Sequence, residues 1–288
     1  MGDRGILVIS HGSRDESWVR LIDEAVAGVA SALSLALLDK AARAEDRNAA
    51  APEERGQERT PIVSAFLEIV EGRLIQDGID RLEAEGVTEL YVLPLFVSSG
   101  STHVDDIAQG FGVPPVSPGR EGELGRFRLN PSTRVRFGTP IDGQAEIAGL
   151  LLANIRELSE TPEREALLLV AHGAKEAIFH DRWRSGLLQL AEQMKTLGGF
   201  AEAAYAMLLP DQAAERLAAM QQERPELAVI VVPLFLSDGY FTRKLVPERL
   251  QGLSYRYNGR PMLPNPGILR WMESQIEPYL NGASEHIL

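Results

Sequence analysis

The chain has 288 residues, of which 44% are hydrophobic, a formal net charge of −12 and no cysteine. This length allows two ordinary domains or one large α/β unit, and the missing cysteines exclude disulfides, thiolate metal sites and iron–sulfur clusters. The acidic balance argues against a nucleic-acid groove, no apolar run is long enough to span a membrane, and no signal peptide precedes the first strand-like run, so a cytoplasmic protein is expected.

Residues 5–10, GILVIS, are a continuous apolar run of the kind that builds a buried parallel strand, and His11-Gly12-Ser13 breaks it. Residues 15–38 are predicted helical, with Trp18, Leu21, Ile22, Ala25 and Val29 on one face. Residues 40–59 are rich in Ala, Glu and Arg without an apolar period and read as an exposed extension and loop. A second strand, 62–67, ends at Glu68. A helix follows over 71–85 and a third strand over 90–97. Ser98 to Thr102 form a Gly/Ser turn that delivers His103, and Asp105 and Asp106 sit where a helix would begin, as cap acids. Residues 113–131 are loop, 134–137 a short fourth strand and 141–158 an amphipathic helix.

The pattern then restarts. Strands are predicted over 166–171, 201–207 and 227–236, and helices over 176–197, 211–220, 242–250 and 269–280. Residues 261–266 take the part of the short fourth strand. Strands alternating with helices imply parallel sheets with right-handed crossovers. Tyr91 to Gly100 (YVLPLFVSSG) and Ile230 to Gly239 (IVVPLFLSDG) agree at six of ten positions, the mark of an internal duplication. The span from His11 to Pro94 exceeds that from His172 to Pro233 by 22 residues, so 40–59 read as an insertion in the first half. Gap-free counting back from the two prolines sets Glu68 opposite Met207, and His103 falls opposite Thr242 or Phe241.

His11, Glu68 and His103 each follow the carboxyl end of a separate strand, the edge at which open parallel sheets bind ligands. Two imidazoles and a carboxylate suit a borderline divalent metal such as Co, Fe, Ni or Zn, with coordination positions left open. The second half keeps only His172, which reads as a hydrogen-bonding or capping residue. One active site per chain is expected, on the first half and facing the second.

In these residues the chain resembles the CbiX/SirB family of sirohydrochlorin chelatases, the class II tetrapyrrole chelatases. The resemblance rests on His11-Gly12-Ser13-Arg14-Asp15, on Ala65-Phe66-Leu67-Glu68, and on Pro94-Leu95-Phe96-Val97 leading through Gly100 to His103-Val104-Asp105-Asp106-Ile107. Two features depart from it: the turn before His103 is one residue longer, and Ala108 stands where the family often has proline. The resemblance implies two flavodoxin-like, chelatase-like domains with the site in the cleft between them. Their boundaries are expected at 1–142, carrying the metal site, and 143–288, a degenerate repeat. It implies ATP-independent insertion of Co²⁺ or Fe²⁺, with Ni²⁺ as a further candidate, into sirohydrochlorin or a related tetrapyrrole. Two protons are released, in cobalamin- or siroheme-type biosynthesis, with the metal as substrate and no organic cofactor. His11 and His103 are the implied metal ligands and proton acceptors, and Glu68 completes the metal site or receives protons. Activity is then expected to fall as pH drops through the histidine range.

A substrate with many carboxylates needs local donors on an acidic protein. Ser13, Arg14, the backbone and side chains at Ser98, Ser99 and Ser101, and Arg243 and Lys244 are the candidates. Leu95, Phe96, Val97, Met207, Leu208, Phe235, Tyr240 and Phe241 are candidate apolar walls. A monomer is expected, with a dimer as the alternative, and with neither nucleic-acid nor membrane partner. Two further readings are a non-catalytic metal or tetrapyrrole carrier and a metal-dependent hydrolase.

Overall fold

A computed structural model describes residues 3–45 and 60–282, with only the backbone of 36–45. The first half runs β1 (Asp3–Ser10), α1 (Glu16–Glu45), β2 (Ile62–Phe66), α2 (Ile75–Ala84), β3 (Val87–Pro94), α3 (Thr102–Gly110), β4 (Arg134–Phe137) and α4 (Ala145–Ile155). The second runs β5 (Glu165–Gly173), α5 (Ala177–Gly198), β6 (Glu202–Leu209), α6 (Ala213–Glu223), β7 (Ala228–Pro233), α7 (Val246–Arg249) and α8 (Pro266–Leu280). All pairings within the two sheets are parallel, in the orders β2-β1-β3-β4 and β6-β5-β7. The continuous apolar runs become β1 and β5, the central strands, because only a strand covered on both faces can be apolar throughout. Most of the expected insertion, 40–59, lies outside the described residues.

Each sheet carries helices on both faces. On its outer face the first sheet buries Ile75, Ile79 and Leu82 of α2 and Val104 and Ile107 of α3. The second buries Leu217 and Met220 of α6, Val246 of α7 and Leu250 just after it. The inner faces share one core, which joins Ile6 and Val8 of β1 to Leu167 and Leu169 of β5 through α1, α4, α5 and α8. Helix α8 closes the chain yet packs on α1 and α4 and touches β3. Tyr279 stacks on Tyr91 at 5.1 Å and donates its hydroxyl to Glu89 O at 2.7 Å. No described helix is long and apolar enough to cross a membrane.

Two expectations are corrected. The second sheet has no fourth strand at 261–266, because Pro261, Pro264 and Pro266 remove the N–H groups a ladder needs. A single parallel bridge between Ile230 and Arg256 takes its place. Helix α3 begins at Thr102 instead of at the two aspartates, so His103 lies in its first turn and not in the preceding loop.

Trp271 of α8 is fully buried in the shared core. Trp271→Ala is expected to cost ~3–5 kcal/mol in urea denaturation, as one lowered transition. Two separate transitions, one unmoved, would contradict a shared core.

Candidate active-site cleft

The carboxyl ends of β1 and β5 open onto a cleft of about 1080 Å³ between the two halves. Three imidazoles line it: His11, His103 and His172. Its volume is just above the ~300–1,000 Å³ of typical small-molecule sites.

His11 directly follows β1. Trp18 of α1 donates its indole N–H to His11 O at 2.8 Å, which fixes the backbone at this position. The ring lies 4.6 Å from Phe96 and meets His103 edge to face at 4.8 Å. Burial pushes the His11 imidazole down to about 4, with the neighbouring charges of His103 and His172 adding to the effect. It is therefore a neutral lone-pair donor at physiological pH. Behind His103, its Nδ1 lies 3.9 Å from Asp106 Oδ2. Asp105 and Asp106 are not exposed cap acids. Both are buried, and Arg120 Nη1 reaches Asp105 Oδ2 at 2.6 Å and Asp106 Oδ1 at 2.8 Å. The Arg120 guanidinium lies over Phe179 of α5, 5.0 Å from the ring centre, and so ties this network to the second half.

Glu68 is exposed and outside the cleft lining. Its carbonyl abuts the loop after β1: a β-carbon at Gly12 would lie 1.6 Å from Glu68 O, so only glycine fits there. The next residue, Ile69, has φ +72, and Val70 N–H closes a γ-turn onto Glu68 O at 2.8 Å. A β-branched residue at positive φ is strained, and such strain clusters at sites. Among the described residues, no three His, Cys, Asp or Glu are gathered so as to hold a metal ion. The three-ligand set of the sequence becomes a pair of imidazoles with a carboxylate on the neighbouring strand tip.

The other candidates divide. Ser13, Ser101 and Arg243 line the cleft, whereas Arg14 and Lys244 do not. Ser98 and Ser99 are committed elsewhere. Asp142 Oδ1 accepts from Ser98 Oγ at 3.0 Å, Ser99 N at 2.9 Å and Ser99 Oγ at 3.2 Å, which pins the turn before α3. Arg243 is paired with Asp238, and Lys244 lies 3.9 Å from Glu248. Of the apolar candidates, Phe96, Val97, Phe235 and Phe241 are in the lining, and Leu95, Met207, Leu208 and Tyr240 are not. Lys175 and Arg260 also line the cleft and were missed. The duplication held a signal for Lys175: His172-Gly173-Ala174-Lys175 repeats His11-Gly12-Ser13-Arg14.

Strand register corrects the internal alignment. Ser10 pairs with Phe66 and Ala171 with Met207, so Met207 corresponds to Phe66, and Glu68 corresponds to Leu209, two residues later. Ring contacts also settle the partner of His103. His172 meets Phe241 edge to face at 5.3 Å, as His11 meets His103, and Phe241 stacks on Phe235 at 5.1 Å. Thr242 is instead buried, bonded to Asp238 and Gly239.

The sequence profile of the CbiX family matches residues 5–158 and again 166–278. No curated protein matches the chain at a significant level. Among solved structures, SirB from Bacillus subtilis with Fe³⁺ is 15% identical, with a TM-score of 0.68 over 96% of this chain and 95% of that one. SirB from Bacillus subtilis subspecies spizizenii in complex with cobalt is 15% identical, with a TM-score of 0.62 over 97% and 96%. CbiX, the terminal enzyme for siroheme biosynthesis in denitrifying bacteria, is 17% identical, with a TM-score of 0.58 over 96% and 98%. At these identities the likeness is one of fold.

The depressed His11 imidazole makes a stability prediction. Between its ordinary value of 6.5 and about 4 the unfolded chain binds a proton that the folded chain refuses, so stability falls as pH drops through that window. The loss is expected to be on the order of 3 kcal/mol by about pH 4. Urea melts across the window should show a shallower slope for His11→Gln, and an unchanged slope would place the acid sensitivity elsewhere.

Proposed function

The chain belongs to the CbiX family, and from that premise we propose that it is a chelatase inserting Co²⁺ or Fe²⁺ into sirohydrochlorin or a closely related tetrapyrrole, without ATP. The observation that carries this reading is the His11–His103 pair, edge to face at 4.8 Å on the wall of a cleft wide enough for a macrocycle. Two imidazoles bind a borderline divalent cation and leave coordination positions free for the incoming pyrrole nitrogens. A closed four-ligand cage would hold the metal too well to hand it on. The family's cobalt- and iron-bound structures accord with either metal, and Ni²⁺ suits the same donors.

In this reading Glu68, exposed at the strand tip beside Gly12, acts as third ligand or proton acceptor. Lys175, Arg243 and Arg260 line the cleft and meet the substrate's carboxylates, with Ser13 and Ser101 as hydrogen-bond donors. Arg243 and Arg260 are already paired with Asp238 and Glu157, while Lys175 has no ion pair among the described residues. Lys175 is therefore the cation whose attraction for substrate is least spent. Phe96, Phe235 and Phe241 supply flat apolar walls. Residues 1–142 carry the metal chemistry and 143–288 the facing wall, and a monomer holds both.

Insertion is followed by the change in absorbance of sirohydrochlorin on adding Co²⁺ or Fe²⁺. His11→Ala and His103→Ala are each expected to lower kcat/KM by about 100-fold or more. Unchanged rates in both would overturn the chelatase reading, and stoichiometric binding without turnover in the native chain would make it a carrier. Lys175→Ala is expected to raise KM for the tetrapyrrole about tenfold, the effect of losing a charged hydrogen bond, with kcat nearly unchanged.

A further inference from the structure

His172 is the cleft imidazole to which the metal pair gives no role. It lies in β5 one residue after Ala171, as His11 follows Ser10, and strand register makes the two equivalent: Ile9 pairs with Pro94 and Val170 with Pro233. The two lie on opposite walls of one cleft, close enough for a charge on His172 to oppose protonation of His11. The second wall lacks the partner that makes His11 half of a metal site, because Phe241 stands where His103 does in the first. Asp238, the acid nearest in sequence to Phe241, is taken by Arg243 and by Thr242 Oγ1 at 2.9 Å. A lone imidazole against two stacked phenyl rings makes a poor metal site but leaves a free base beside a flat apolar surface.

The hydrogen bonding of His172 fixes which nitrogen is the base. Nδ1 lies 3.0 Å from Gly173 O. A carbonyl oxygen only accepts, so Nδ1 carries the hydrogen and Nε2 holds the lone pair in the neutral ring. On the first wall the imidazole lone pairs are committed once they hold a metal, and a committed pair cannot take a proton. Insertion still has to remove two N–H protons from the macrocycle.

We propose that His172 is the catalytic base of the cleft, taking pyrrole protons on the face of the macrocycle opposite the His11–His103 pair. In each transfer a pyrrole N–H bond breaks and a His172 Nε2–H bond forms. The pyrrole nitrogen keeps the electron pair and donates it to the metal. The imidazolium then passes its proton to water at the cleft mouth, and the second N–H follows the same route. The balance is one divalent ion and two N–H groups in, a metal bound through two anionic nitrogens and two protons out. This inference rests on the chelatase reading. The titratable groups that line the cleft with His172 are His11, Asp15 and His103 from the first half, Lys175 and Glu176 from its own loop, Asp238 and Arg243 from the 236–243 turn, and Arg260. Three cations, Lys175, Arg243 and Arg260, face three carboxylates, Asp15, Glu176 and Asp238, across the cleft.

The test uses the full chain, its His172→Gln variant, which keeps the side chain's bulk, and His172→Ala. Co²⁺ binding is measured by calorimetry without tetrapyrrole, and insertion of Co²⁺ into sirohydrochlorin from about pH 6 to 9. The expected result is unchanged Co²⁺ affinity in both variants, with kcat lowered about 100-fold and KM little moved. The acid limb of the native pH profile should disappear. Added imidazole should restore part of the rate to His172→Ala, where it has room, and not to His172→Gln. Native-like kcat in the variants at every pH would overturn the assignment while leaving the chelatase intact. So would a loss of Co²⁺ affinity in step with kcat, which would make His172 a ligand. Absence of turnover by the native chain would instead remove the chelatase reading and this inference with it.

Discussion

The structure depends on a core that belongs to neither half. The inner faces of both sheets are apolar and are covered by the same helices, so Ile6, Leu169, Trp183 and Trp271 lie in one continuous cluster. Two sheets sharing a helical layer are held in a fixed relation by hydrophobic burial, the largest favourable contribution to folding. That relation brings the carboxyl ends of β1 and β5 to one cleft. In a single parallel sheet the ligand edge faces solvent, and here it faces a second sheet. Helix α8 reinforces the arrangement by running from the second half back to Tyr91 and Glu89 of β3.

Duplication then explains how one cleft has two unlike walls. His-Gly follows β1 and ends β5, and Pro-Leu-Phe stands at the carboxyl ends of both β3 and β7. On this common frame the first half has His103 and Glu68 where the second has Phe241 and Leu209. The exchange replaces the cleft imidazole of His103 with a phenyl ring, and Leu209 lines the cleft where its counterpart Glu68 does not. The stacking of Phe241 on Phe235 shows the replacement packed into place. One wall carries a pair of imidazoles and the other a single imidazole beside two stacked phenyl rings.

Much of this was legible because it is written in short local patterns. The apolar runs of β1, β3, β5 and β7 identified parallel strands, and the repeated Pro-Leu-Phe identified the duplication. The errors came where a distant residue decides. No local pattern reveals that Ser98 and Ser99 are spent on Asp142, more than 40 residues away in sequence. Asp105 and Asp106 resemble ordinary cap acids until Arg120 arrives from the irregular 113–131 stretch to bury them. The pairing of Glu68 with Met207 assumed equal connections from the second to the third strand in both halves. Ladder register, which only the folded chain displays, makes the second connection two residues shorter. Because the error is an even number of residues, the face of the strand came out right although the residue did not.

Electrostatics join the two walls. Burial holds the His11 imidazole neutral, and the charges of His103 and His172 oppose its protonation further. That nitrogen thus stays unprotonated in a chain whose net charge of −12 draws protons in. In the proposed chelatase reaction, positive charge would enter as a divalent ion held by His11 and His103. Its double charge would repel a proton on the facing imidazole more strongly than an imidazolium would, and a base there that had taken a pyrrole proton would be driven to release it to water. The shared core that sets the two walls face to face is what would couple the two events.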